Sequence, residues 1–217
     1  MIRIDAEAPP LGFAAVFISG LNVSEQPAAF DALTACAEEY AERFAWTPPS
    51  EIPGVQQARR LFRAVGIDPT KRRPSSEALL HRALKRKGLD AVNALVDVGN
   101  WCSLDFLLPT CIYDVQKISG AIVLRLGRSG ERYAALNGRD LEFDGRWVLA
   151  DELGPFGSPM TDSLRTAVTV STTAALLGIW APADYPRAQL QQQAQLFAER
   201  AQHFCGGTIE SVALLPD

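Results

Sequence analysis

The sequence predicts a single α+β domain, an irregular α/β arrangement in which a mixed, largely antiparallel sheet is flanked by helices. Apolar residues recur at helical spacing over much of the first half of the chain, whereas short alternating strands separated by Gly-containing turns follow Tyr113. The elements do not alternate in regular βαβ order, which favours this class. A chain of 217 residues can bury one substantial core, so we assign residues 1–217 to one unit rather than to two small lobes.

Each element is predicted from its local pattern. An apolar, β-rich run gives an early strand over 13–23, and apolar spacing of three and four residues gives the helices. Ser75, Ser76 and Glu77 are predicted to cap the third helix. The predicted helices are 28–44, 55–66, 75–88, 89–104 and 185–207, and the later strands are AIVLRLG, ERYAALNG, DLEFD, RWVLAD, RTAVTVSTT leading into AALLGIWAP, and TIESVALL.

The composition points away from membranes and metals. The longest apolar run, over 174–182, is shorter than the ~20 residues that span a bilayer, and the N-terminus does not resemble a secretory signal, so we expect a cytoplasmic protein without membrane contact. Four cysteines without a CxxC pair and two histidines predict reduced thiols, no metal and no cofactor. Neither a phosphate-binding glycine loop nor the GxSxG hydrolase motif is present.

Charge is distributed unevenly along the chain. The net charge is −4, but residues 59–87 contain ten basic and two acidic residues and carry +8, which leaves −12 for the remainder. Such a run is either a solvated helical face or a surface for a polyanion. Farther along, Asn93, Asp97 and Asn100 share one helical stripe, which is either a buried hydrogen-bond network or the wall of a pocket.

Three segments between residues 59 and 173 carry a family pattern. They are RLFRAVGIDPTKRRPSSEALLHRAL, then AVNALVDVGNWCSLDFLLPTCIYDVQKISGAIVLRLGRSGERYAALNG, then WVLADELGPFGSP followed by DSLRT. In this order they resemble the tRNA-binding and editing domain of the bacterial phenylalanyl-tRNA synthetase β chain. The chain length leaves no room for the other synthetase modules, so the resemblance implies a freestanding form.

The resemblance implies a hydrolytic pocket that removes a wrongly attached amino acid from the 3′ end of tRNA. Two positions depart from the family: Cys111 stands where the family has a histidine, and Gly157–Met160 replaces a Gly-Gly-Glu segment that recognises the tyrosine hydroxyl. Selectivity for tyrosine is therefore not carried over. An aminoacyl ester is already activated, so a positioned water and donors to the oxyanion are sufficient for its hydrolysis.

We therefore expect three groups of functional residues. The candidate catalytic residues are Asn100, Ser158, Asp162 and Ser163; the candidate substrate-binding residues are Asn93, Cys111 and Gly157; the candidate RNA-binding residues are Arg59, Arg63, Lys71, Arg72, Arg73 and Lys85. The expected partner is the acceptor end of tRNA, with association with the translation machinery and a homodimer through the C-terminal helix as further expectations. Two alternatives stay open: a non-catalytic tRNA- or RNA-binding module, and a small-metabolite pocket protein on the same fold.

Overall fold

The computed structural model describes residues 2–4 and 9–216. The strands are β1 (Ile2–Ile4), β2 (Leu11–Ser19), β3 (Thr110–Asp114), β4 (Ile122–Leu126), β5 (Arg132–Ala134), β6 (Asp140–Glu142), β7 (Trp147–Asp151), β8 (Gly154–Gly157), β9 (Ala174–Pro182) and β10 (Thr208–Leu215). The α-helices are α1 (Ala28–Arg43), α2 (Val55–Ala64), α3 (Ser75–Leu84), α4 (Ala94–Phe106) and α5 (Arg187–Cys205). Single 3-10 turns cover Pro49–Glu51, Val115–Lys117 and Leu164–Thr166.

A central antiparallel sheet in the order β10-β2-β9-β3 is covered on both faces. In β2, Ala14, Val16 and Ile18 belong to the core under α4 and α5, whereas Phe13 and Ala15 belong to a second core on the other face. Because successive side chains of a strand point to opposite faces, a strand buried on both faces needs an unbroken apolar run. This explains why β2 and β9 are the most apolar segments of the sequence.

A second sheet, in the order β1-β4-β7-β8, packs against the central one. β1 runs parallel to β4, and the other pairs are antiparallel. Leu124, Leu149 and Phe156 join the core that the two sheets share. On the outer side, the β5–β6 hairpin packs Tyr133 and Phe143 on the second sheet. The hairpin is thereby fixed on the face of the second sheet opposite to the core that the two sheets share.

The helical layer beside the sheets is built by α1, α3 and α4, which pack on one another. Leu33, Leu80 and Leu104 lie at their common centre. Helix α2 instead packs Leu61 and Phe62 into the core between the two sheets. The segment that joins α2 to α3 is therefore held next to the second sheet and the hairpin.

The predicted α+β class is confirmed, with helices and strands close to the predicted positions. One predicted strand is wrong: RTAVTVSTT is irregular after a 3-10 turn at Leu164–Thr166, because its hydroxyl groups bond locally. Thr172 accepts from the Thr169 amide and donates to Asp114 instead of joining a ladder. The predicted cap of α3 is also wrong, since Pro74 precedes the helix and no side chain caps it.

Three short strands, β1, β3 and β8, are missing from the prediction, because three to five residues do not reveal a period. The four cysteines are all free thiols, as predicted. Within residues 2–4 and 9–216, no helix has the length and hydropathy needed to cross a bilayer.

Candidate functional site

A cleft of about 710 Å³ opens between the α2–α3 segment and the β5–β6 hairpin. We call it the basic cleft. One side is formed by Lys71, Arg72 and Arg73, the other by the hairpin, and Met160 and Thr161 lie between them. A neighbouring hollow of about 350 Å³, the side hollow, shares Arg72 and Met160 with it. The side hollow adds Arg132, Glu142 and Arg146, and the hairpin residues of the basic cleft are Asn137, Arg139, Asp140 and Leu141.

The cations of the basic cleft are largely uncompensated. Arg72 and Arg139 are exposed and form no ion pair in the part of the chain that the structure describes, and exposed Lys71 has only an electrostatic interaction with Asp68. Arg73 is also exposed and lies 3.6 Å from a Glu77 oxygen, a weak contact. Asp140 adds one negative charge at the rim. The local charge is therefore strongly positive, although the whole chain is acidic.

Arg59, a predicted RNA-binding residue, has a structural role. Its guanidinium donates two hydrogen bonds, of 2.8 and 2.6 Å, to the Glu77 carboxylate, whose side chain is 2% exposed. Burial alone raises the pKa of Glu77, but the hydrogen bonds and charge of Arg59, with His81 and Arg73, outweigh it, and the pKa lies below its ordinary value. Arg59 is therefore committed to holding α2 against α3.

The other two predicted RNA-binding residues lie outside the lining of the basic cleft. Arg63 is exposed on α2, and Lys85 follows the last residue of α3. The neighbours of Lys85, Arg86 and Lys87, line a separate pocket against α1. The +8 segment is thus divided by the fold, and of its basic residues in the described chain only Lys71, Arg72 and Arg73 line the basic cleft.

Asp162 lies directly beyond the floor of the basic cleft. It follows Thr161, pairs by backbone with Gly157 and accepts the Leu136 amide of the hairpin at its carbonyl. Its carboxylate accepts a hydrogen bond of 2.5 Å from the Tyr113 hydroxyl. Burial raises the pKa of Asp162 to about 7, and the Tyr113 bond opposes that shift. A carboxyl group that titrates near neutral pH can exchange a proton with a reactant.

Tyr113 fills the space beside Gly157. A Cβ atom at Gly157 would overlap the Tyr113 hydroxyl, so only glycine fits there without a shift of the ring. Tyr113 is fully buried and its ring packs edge-on against Phe156, 4.9 Å between centroids. Gly157 therefore leaves the room that the Tyr113 hydroxyl needs to reach Asp162. The same contact leaves no free space at Gly157 for the substrate-binding role predicted from the sequence.

Ser158 and Ser163 close the turns on either side of Asp162. The Ser158 hydroxyl lies 3.0 Å from the Thr161 carbonyl and 3.3 Å from the Thr161 amide, and Tyr133 also donates to that carbonyl. Ser163 accepts from the Arg165 amide at the start of a 3-10 turn. Both hydroxyls position the segment that carries Asp162.

Asn93 and Asn100 lie on the other side of the central sheet from Asp162. Both belong to the α4 region, which packs on the β3 face that carries Ile112, whereas Tyr113 points to the opposite face. Asn93 caps α4 by accepting the Val96 amide. Asn100 is half-buried and makes no side-chain hydrogen bond to any residue in 2–4 or 9–216. The alternation of side chains along β3 thus places these two residues on the opposite face of the central sheet from Tyr113 and Asp162.

Cys111, a predicted substrate-binding residue, is buried on the same face of β3 as Tyr113. It is buried against Gly178, and burial raises the pKa of its thiol well above the ordinary value. A thiol that stays protonated is unreactive. The residues that the structure adds to the predicted site are Tyr113, Met160, Thr161, Arg139 and Arg146. The NGR and DGR turns contain both of these arginines, but the sequence does not show that the turns fold back over the basic segment.

The fold and the cleft define an α+β domain with a cationic groove and, next to it in the chain, a half-buried acid whose pKa is raised to about 7. A family model for the B3/4 domain matches residues 57–204, about two thirds of the chain, and the protein belongs to that family. The predicted match over residues 59–173 lies inside this range.

Similar curated proteins are phenylalanine–tRNA ligase beta subunits. That of Bradyrhizobium diazoefficiens is 41% identical over 98 residues, 45% of this chain and 12% of that protein. That of Paramagnetospirillum magneticum is 34% identical over 136 residues, 62% of this chain and 16% of that protein. The chain thus corresponds to a small part of these relatives. The predicted resemblance to the β chain is confirmed at this level.

A solved structure shares the fold. The crystal structure of an N-terminal fragment of the phenylalanyl-tRNA synthetase beta-subunit from Pyrococcus horikoshii superposes with a TM-score of 0.53 at 12% identity, over 100% of this chain and 54% of that one. At this identity the likeness concerns the fold alone.

Proposed function

We propose that the basic cleft binds the acceptor end of a tRNA and that the Asp162 site hydrolyses a wrongly attached aminoacyl ester in trans. One observation carries this proposal: Asp162 follows Met160 and Thr161, two residues of the cleft lining, directly in the chain. The proposal places the end of a polyanion held along the cleft beside this acid. The similarity to tRNA ligase beta subunits supports a tRNA as that polyanion.

The binding step needs no reading of sequence. Lys71, Arg72 and Arg139 offer donors from both walls to backbone phosphates, and Asn137 adds an amide that can bond to a ribose or a base. Each phosphate that is neutralised releases counterions, so the affinity should fall steeply with salt. The acidic remainder of the surface would repel RNA elsewhere and confine it to this face.

The chemical step is a simple displacement. Water adds to the ester carbonyl, the bond between that carbon and the ribose oxygen breaks, and the products are the free amino acid and a tRNA with a restored hydroxyl group. Asp162 in its carboxylate form accepts the proton from the attacking water and returns it to the leaving oxygen. Tyr113 holds the carboxylate in place as a positioning residue. No cofactor is needed for this reaction.

The wider expectations follow from the same proposal. A domain that clears mischarged tRNA acts alongside the translation machinery, in the cytoplasm. A homodimer through α5 stays a prediction. The most exposed large apolar residue of that helix in the described chain is Leu196, at 37%.

A second candidate function is a tRNA- or RNA-binding module that performs no reaction. It is favoured by Tyr113, which fills the space at Gly157 and already engages the Asp162 carboxylate. In this case Asp162 would hold the β8 turn in place, and the cleft alone would be functional. The same fold could instead hold a small metabolite, for which binding would respond little to salt.

The test is deacylation of a panel of misacylated tRNAs, measured as the release of labelled amino acid. The wild-type protein should release at least one amino acid, and Asp162→Asn should abolish release while RNA binding persists. Asp140→Asn is the matched control, because it removes one carboxylate from the cleft rim and leaves Asp162 intact. RNA binding with an intact panel would establish the second candidate. Binding that ignores salt would refute both.

A further inference from the structure

Arg72 and Arg146 converge on one sulfur atom at the border of the basic cleft and the side hollow. An Nη1 atom of Arg72 lies 3.7 Å from Met160 Sδ, and an Nη1 atom of Arg146 lies 3.8 Å from the same sulfur. Both arginines line the side hollow. A thioether is a weak acceptor, so neither guanidinium is satisfied by this contact.

Neither guanidinium has a carboxylate partner within residues 2–4 and 9–216. Two like charges near one uncharged atom repel each other, and an anion between them would remove that cost. The nearby Arg132 differs, because Glu142 binds it at 2.9 Å. Asp140 and Glu142 are the acids of the hollow, and one of them is already paired.

The backbone under both arginines is fixed by hydrogen bonds. The Arg72 amide donates to the Asp68 carbonyl, and Asp68 also binds Thr70 through its side chain. Arg146 donates from its amide to the Phe143 carbonyl and accepts from the Gly127 amide. The two guanidiniums therefore extend from backbone turns that are already fixed, so an anion between them would order only the side chains.

We infer that Arg72 and Arg146 form a phosphate subsite over Met160, which holds the phosphodiester one nucleotide before the 3′ terminus of the RNA. The identity of this ligand rests on the proposed function. Met160 is two residues from Asp162, a span of at most ~7 Å, about the reach of one nucleotide. A phosphate held here sets the terminal ribose at Asp162. Arg72 and Arg146 therefore determine which nucleotide of the RNA lies at Asp162, in addition to attracting the RNA.

The experiment uses two probes with the full chain. Inorganic phosphate is titrated and followed by phosphorus NMR, and a CCA-ended RNA oligonucleotide is titrated by fluorescence anisotropy at several salt concentrations. The variants are Arg72→Gln, Arg146→Gln and the double variant. Lys87→Gln is the matched control, because it also removes one exposed basic charge but lines the separate pocket against α1. Thermal melts confirm that all variants fold.

The subsite predicts that each single variant weakens phosphate binding about tenfold or more, as expected for lost charge-assisted hydrogen bonds. The double variant should be little weaker than the worse single variant, since both side chains grip one anion. Each single variant should lower the salt slope of RNA binding by about 1. Lys87→Gln should change none of these values.

The two proposals can fail separately. If wild-type RNA binding depends steeply on salt but the Arg72 and Arg146 variants behave like Lys87→Gln, the subsite is overturned and the tRNA function stands. If phosphate binds and is lost in both variants but the RNA does not bind, the anion site is supported and the tRNA function is overturned. Phosphate binding that is equal in all variants refutes the subsite.

Discussion

The Tyr113 hydroxyl donates a 2.5 Å hydrogen bond to Oδ1 of Asp162, and this bond links the edge strand of the central sheet to the turn after β8. The donor is fully buried and the acceptor belongs to a segment that borders the basic cleft. A contact between the core and the cleft edge therefore sets both the position and the protonation of the acid. The first two predictions concern this pair.

Tyr113→Phe should raise the pKa of Asp162 above its value of about 7, because the bond that it removes favours the carboxylate. In the deacylation assay the midpoint of the pH–rate profile should shift to higher pH, with loss of rate at neutral pH. Tyr185→Phe is the control, since the Tyr185 hydroxyl bonds to Gln193 on α5. A midpoint that does not shift in Tyr113→Phe would show that another group controls the rate.

Asp162→Asn should stabilise the protein at alkaline pH. The folded-state pKa of about 7 exceeds the ordinary value of 3.8, so the stability that Asp162 contributes is complete below pH 4 and is lost as pH rises through 7. At pH 8 the variant should be more stable by on the order of 1–2 kcal/mol, discounted for partial solvation, and at pH 4 the two should be alike. Urea unfolding at both pH values measures this, with Asp140→Asn expected to show no difference.

Gly157→Ala should destabilise the fold by about 1–3 kcal/mol, because the added methyl group would displace the buried Tyr113 ring. Gly88→Ala is the matched control: nothing lies within 4 Å of its Cβ position. Urea unfolding compares the two. If Gly157→Ala and Gly88→Ala were equally stable, the Tyr113 ring would move aside freely, and the absence of a side chain at Gly157 would have no structural consequence.

Arg59→Gln should lower the stability of the fold, whereas Arg72→Gln should weaken RNA binding. Arg59→Gln leaves the buried Glu77 carboxylate short of its main partner and should cost about 2–4 kcal/mol of folding free energy. Arg72→Gln removes an exposed charge and should change stability by less than about 0.5 kcal/mol, but should weaken RNA binding. Unfolding curves and anisotropy titrations test this. Comparable losses of RNA binding in both variants would contradict the assignment of a structural role to Arg59 and an RNA-binding role to Arg72.

The sequence predicts the long elements because their patterns are complete. Apolar spacing places α1 and α5 within a few residues, and β9 coincides with the apolar run AALLGIWAP. The RTAVTVSTT segment fails because β-branched residues also carry hydroxyl groups, and here Thr172 bonds to Asp114 and turns the chain.

The site could be predicted only in part, for a related reason. Charge density identifies residues 71–73, but only the fold shows that Glu77 binds Arg59. Only the fold shows, too, that Arg139 lines the basic cleft and Arg146 the side hollow beside it. A helical stripe correctly groups Asn93 with Asn100, yet which face of the sheet it covers is decided by the alternation of Ile112 and Tyr113. Such relationships depend on contacts between residues far apart in the chain.

The turn from Ser158 to Thr161 is closed by its own hydroxyl, carbonyl and amide groups, with two further bonds from the Tyr133 hydroxyl. Between its ends, Met160 packs on the apolar cores on both faces of the second sheet, and Pro159 is buried. Descendants of this chain that exchanged either residue would therefore alter the group presented above the cleft and the packing beneath it together.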